Sequence, residues 1–162
     1  MTKEQENAIF NALLDSDWST RYWSKMARDY QKRDTWINIG VALLSSGAVA
    51  SWAVWSFFPF AWQTLSMFAA CVSIAQPLLN FGGKVEQMFQ AQSKWREFEM
   101  SYQQLWDNLS NMSGGEAFEK FQEIQRGQGA LASECARLPE SSDKTKLKIK
   151  QDVLDSRGLS NS

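Results

Sequence analysis

Apolar positions follow three regimes along the chain. In the first, Ile9, Phe10, Leu13, Leu14, Trp18, Tyr22, Trp23, Met26 and Tyr30 recur at helical spacing, and neither Pro nor Gly interrupts residues 1–39. This predicts an amphipathic helix over 1–34. Asp15, Ser16 and Asp17 fall inside the stripe. Such residues cap helices, so a kink or short turn is expected there. In the third regime, Met88, Ala91, Trp95, Phe98, Tyr102, Leu105 and Leu109 alternate at spacings of three and four. That is a heptad seam, and it predicts helix-on-helix packing in water over 84–111. The stripe at 9–30 is its natural partner within the chain; an intermolecular coiled coil is the alternative.

Ser113 and Glu116 have the spacing of a capping box. Phe118, Phe121, Ile124, Leu131, Cys135 and Leu138 predict a shorter helix over 116–138, ended by Pro139. Gly127 and Gly129 weaken its middle by about 1 kcal/mol each relative to Ala. Residues 139–162 read as a polar tail. Lys144, Lys146, Lys148 and Lys150 lie near Leu147, Ile149, Val153 and Leu154. This is either a short solvated helix with a disordered end or a basic segment that touches anionic lipid or a partner.

The second regime has no polar charge at all. All 35 charged residues lie in 1–34 and 84–162, leaving 49 consecutive uncharged residues at 35–83. Pro59 divides this run into 36–58 and 62–83. Each segment is long enough for a helix to cross a hydrocarbon core of about 30 Å. The short connection predicts a transmembrane hairpin. Nine strongly apolar residues in the first segment supply roughly −3 to −5 kcal/mol of insertion free energy. The second segment also holds Gln63, Gln76 and Asn80, and is expected to insert as the partner of the first. Trp36 marks one boundary, and Trp52, Trp55 and Trp62 with Phe57, Phe58 and Phe60 crowd the other, as at headgroup level. The second helix is expected to run on through Lys84 into the seam, with Gly82 and Gly83 as its bend.

Cations flank both outer ends (Arg21, Lys25, Arg28, Lys32 and Arg33; Lys84, Lys94 and Arg96), and the connection has none. The positive-inside rule then places both termini in the cytoplasm. Lys3, Glu4 and Glu6 argue against a cleavable signal peptide.

Ser66, Ser73, Gln76 and Asn80 share one face of the second segment, and Asn38 and Ser45 share one of the first. Gly40, Gly47 and Ser51 supply small residues for close helix approach. Lipid offers polar side chains no hydrogen bonds, so these faces are expected against protein or water. Pro77 is expected to kink the helix and free a carbonyl. The polar groups either bond across a helix pair or line a water-filled path. A pore needs oligomerisation, because one hairpin encloses nothing. It would be poorly ion-selective, because no charge lies within the spans.

Composition removes several chemistries. There is no histidine, which excludes His-based catalysis and His-ligated metals. Cys71 and Cys135 form no metal or disulfide motif, and Cys71 reads as a small buried apolar residue. A net charge of −1 argues against direct nucleic-acid binding. No catalytic, cofactor or metal site is expected.

Two segments carry a resemblance: "LLDSDWSTRYWSKMARDYQKRDTW" before the uncharged run, and "AQPLLNFGGKVEQMFQAQSKWREFEMSYQQLW" at its end. With the short loop at Pro59, this layout resembles the SLATT family across residues 8–138. These are two-transmembrane effector domains associated with SMODS nucleotidyltransferases and SLOG sensors in bacterial conflict systems. The resemblance implies an all-α membrane protein whose hairpin extends into a cytoplasmic helical bundle. It implies a homo-oligomeric, pore-forming or membrane-disrupting effector of antiphage defence. A nucleotidyltransferase, a reverse transcriptase or another sensor encoded nearby would supply the trigger. A passive membrane anchor presenting a helical platform is the competing expectation.

Overall fold

The structure, a computed structural model, describes residues 2–50 (side chains to Leu43), Phe60, Thr64, 67–68, 70–72, Ile74 and 80–159. Among these it is all-α, with no strand. The helices are α1 (Lys3–Ala50), α2 (Phe81–Asp107), α3 (Gly114–Cys135) and α4 (Asp143–Ser156), with a 3-10 turn at Leu109–Asn111. The described residues between Phe60 and Ile74 are also helical. The chain forms two compact units, one of residues 1–27 and 87–162, the other of residues 28–86.

The first unit is a helical bundle built on the predicted seam. Met88, Ala91, Trp95, Tyr102 and Leu105 of α2 are buried, and Phe98 and Leu109 are half-buried. Ile9 and Leu13 of α1 join Tyr102, Leu105, Ala117 and Phe121 in one core cluster, so the two stripes meet within the chain. The capping reading of Ser113 holds: its Oγ accepts from the Glu116 N–H at 3.3 Å. Gly127 stands where a Cβ would meet the Phe98 ring at 3.0 Å, so its missing side chain lets α3 approach α2. Gly129 faces open space.

Three expectations are corrected here. No turn occurs at 15–17, and α1 runs through it. Ser16 donates to the Leu13 carbonyl at 2.9 Å, and Asp17 is held by arginines, so neither side chain competes for the backbone as a cap. Residues 143–156 form the expected short helix, but it is docked on the bundle rather than solvated. Helix α4 buries Ile149 and Val153, Trp18 Nε1 donates to the Lys146 carbonyl at 3.4 Å, and Ser141 N–H donates to the Tyr22 hydroxyl at 2.8 Å. The bend before the seam lies at Asn80 rather than at Gly82 and Gly83. Asn80 has a φ of +43°, which an α-helix does not tolerate, and α2 starts directly after it.

The second unit has the opposite character. Every buried hydrophobic residue among those described belongs to the first unit. In the second, Trp36 (72 %), Phe60 (81 %), Met67 (72 %) and Ile74 (69 %) are exposed, with Ile39, Leu43 and Phe68. Cys71, expected to be buried, is exposed as well. Among the described residues no helix is long and apolar enough to cross a membrane. Residues 35–50 of the uncharged run lie in α1. Of the expected connection at 59–61, Phe60 is helical, and residues 59 and 61 lie outside the described residues.

Candidate functional site

Two features of the second unit bear on function. The first is an exposed stripe. Phe60, Thr64, Met67, Cys71 and Ile74 are spaced four, three, four and three, and all five are exposed. Phe68 and Ala70, outside that register, are exposed as well. On α1, Lys32, Trp36, Ile39 and Leu43 are spaced four, three and four and are likewise exposed. The second feature is the polar edge of this surface. The Tyr30 and Phe81 rings lie 6.0 Å apart, and the Arg33 guanidinium sits 5.5 Å from the Tyr30 ring centre, within cation–π range.

The predicted polar residues are only partly described. Ser66, Ser73, Gln76 and Pro77 lie outside the described residues, and Ser45 is described in its backbone alone. Asn38 is exposed, and its Nδ2 donates to Asp34 Oδ2 at 3.2 Å. Asn80 Oδ1 accepts from the Gly83 N–H at 3.3 Å, and the Asn80 carbonyl accepts from the Lys84 N–H at 3.2 Å. Asn80 thus starts its own helix. A Cβ on Gly83 would fall 2.8 Å from the Asn80 amide, so glycine there is what admits this cap.

The bundle holds a node that sequence reasoning missed. Asp17 of α1 is almost fully buried and takes Arg21 Nε at 2.6 Å and Arg157 Nε at 3.1 Å. Arg157 also donates to Gln103 Oε1 at 2.9 Å and stands 3.9 Å from Glu99, both on α2. Arg21 reaches Ser156 Oγ at 2.8 Å. One guanidinium therefore ties α4 to α1 and α2. Its position is fixed by the end of α4: Gly158 has a φ of +69°, Gly158 N–H donates to the Asp155 carbonyl, and Leu159 N–H to the Leu154 carbonyl. This is a Schellman stop. The sequence Ser-Arg-Gly-Leu carried that signal.

A small cavity of about 220 Å³ lies among Trp18, Tyr22, Trp23, Trp95, Cys135 and Lys146. Trp18 and Tyr22 stack at 5.1 Å. The Trp95 indole N–H is buried and approaches the Cys135 thiol without forming a hydrogen bond of good geometry. Burial pushes the Cys135 thiol up, against the lowering influence of that indole, which makes it a poor nucleophile at neutral pH. Tyr102 donates to Gln128 Oε1 at 2.6 Å. Burial, and secondarily the Asp15 carboxylate, push its phenol up to about 12. Among the described residues no group of three acidic or thiol side chains is placed to hold a metal. Comparison with known protein families, with curated proteins and with solved structures gives no match.

Proposed function

We propose that this chain is a SLATT-type membrane effector: residues 28–86 contribute a lipid-embedded hairpin, and the bundle is its cytoplasmic controlling part. The observation that carries the membrane half of this reading is the exposure of large apolar side chains in 28–86, beside a bundle that buries its own. Water penalises such a surface at roughly 25 cal/mol per Å², whereas lipid does not. The described part of the run in α1 falls short of a full span, and the reading relies on the uncharged sequence continuing to residue 58. The effector half rests on the resemblance. On this reading the chains oligomerise, a partner or nucleotide signal shifts the bundle, and the assembly permeabilises the inner membrane.

A passive anchor is the second reading, and the self-contained core of the bundle favours it, because a platform needs no moving part. Two measurements separate the outcomes. Carbonate-washed membranes should retain the chain; recovery in the wash overturns both readings. Potassium release from proteoliposomes should then be seen for the effector and be reduced by Gln76→Leu, which removes a side chain expected on the polar face. Retention without release leaves the anchor.

A further inference from the structure

We propose that Lys32, Arg33 and Trp36 of α1, with Phe81 and Lys84 of α2, form a collar that binds the phosphate of anionic phospholipid headgroups. The proposal rests on the membrane reading above and names the lipid. The contact of Tyr30 with Phe81 brings the two helices together at this level. The nearest carboxylate along the chain, Asp34, accepts from Asn38. Among the described residues, Lys32, Arg33 and Lys84 have no ion-pair partner. The Tyr30 ring holds the Arg33 guanidinium by its face, which leaves the in-plane N–H donors for an oxyanion.

The order of side chains identifies the source of that oxyanion. Along one face of α1 come a cation (Lys32), an indole (Trp36, 72 % exposed) and two aliphatic groups (Ile39 and Leu43). Eleven residues of helix cover about 16 Å. Phosphate, glycerol and acyl chain follow in the same order over a comparable depth, with indoles preferring the middle level and lysines reaching outward. A free phosphate would meet the cations but leave the indole and aliphatic groups in water. A lipid satisfies all three levels.

The test uses the full chain in mixed vesicles of phosphatidylglycerol and phosphatidylcholine, with one or the other lipid brominated to quench tryptophan. At equal mole fraction, brominated phosphatidylglycerol should quench with an advantage of about fivefold or more, since each cation near an anionic surface contributes about fivefold. Salt at 0.5 M should cut that advantage. The K32Q/R33Q/K84Q variant should lose it while brominated phosphatidylcholine still quenches, and K32R/R33K/K84R should keep it. Equal quenching by the two lipids in the unmodified chain, or an advantage that survives high salt or the glutamine variant, overturns the collar alone. Absence of quenching by either lipid overturns the membrane reading and the collar with it.

Discussion

Leu13 and Leu43 belong to the same helix and meet opposite fates. Leu13 is 1 % exposed, packed against Tyr102 and Phe121 of neighbouring helices, whereas Leu43 is 66 % exposed. The surroundings in sequence run the other way. Leu13 is followed closely by Asp15, Ser16 and Asp17, and Leu43 sits in a run without a single charge. A charged segment can bury its apolar stripe because its polar face takes the solvent, so an amphipathic helix builds a core with its neighbours. A uniformly apolar segment has no face to give to water, and two such helices leave most of their perimeter bare. Local hydropathy therefore reports the solvent a segment requires, and periodicity reports which side of it meets protein.

The sharpest way to break this contrast is to truncate both leucines. Leu13→Ala should destabilise the bundle by about 3 kcal/mol, as large-to-small changes in a packed core do. Leu43→Ala should leave bundle stability within about 0.5 kcal/mol. Denaturant unfolding of the chain in detergent, followed by tryptophan fluorescence, reads both; equal losses would abolish the distinction between the two units.

A somewhat smaller effect should appear at high pH. The Tyr102 phenol ionises near 10 in the unfolded chain and near 12 in the bundle. The folded form thus holds its proton longer. The stabilisation from that neutral, hydrogen-bonded phenol is complete below pH 10 and disappears as pH rises to about 12, a loss on the order of 2 kcal/mol. Tyr102→Phe should remove this component of the alkaline decline, at the cost of about 1 kcal/mol at neutral pH for the lost bond to Gln128. Unfolding curves of both proteins from pH 9 to 12 make the comparison, and identical slopes would discount the tyrosine.

The finest contrast lies within α3. Gly129→Ala should stabilise by about 1 kcal/mol, since its Cβ meets nothing. Gly127→Ala should gain less or lose outright, because its Cβ presses on Phe98. Thermal unfolding ranks the two, and an equal gain would mean that Phe98 moves aside freely.

These elements also mark how far the sequence could be read. The seam from Met88 to Leu105 was visible because periodicity is local, and a helix repeats its environment every three to four residues. The same holds for the Ser113 cap, whose partners lie three residues apart. Asp17 was opaque for the opposite reason. Beside Asp15 and Ser16 it looked like a helix breaker, and its partner Arg157 lies 140 positions away, where no spacing rule reaches. The short helix near the end of the chain was legible, but its docking was not, since Ile149 and Val153 show what they pack against only when α4 is laid on the bundle. In the uncharged run, composition displayed apolarity without saying which faces are covered. Asn80 looked like a membrane polar group, and its capping role needed the backbone angle to be seen.

The clasp of Asp17 by Arg157 sets an order of events during synthesis. Asp17 leaves the ribosome early, and its distant guanidinium is made only after the whole uncharged stretch has emerged. At 5–20 residues per second the gap lasts roughly ten to thirty seconds. Until Arg157 is made the bundle is missing its last strut, although residues 35–83 have by then been synthesised. Closure of the bundle therefore comes after residues 28–86 have been made, and a nascent chain stalled before codon 157 would expose an unfinished bundle to cellular proteases.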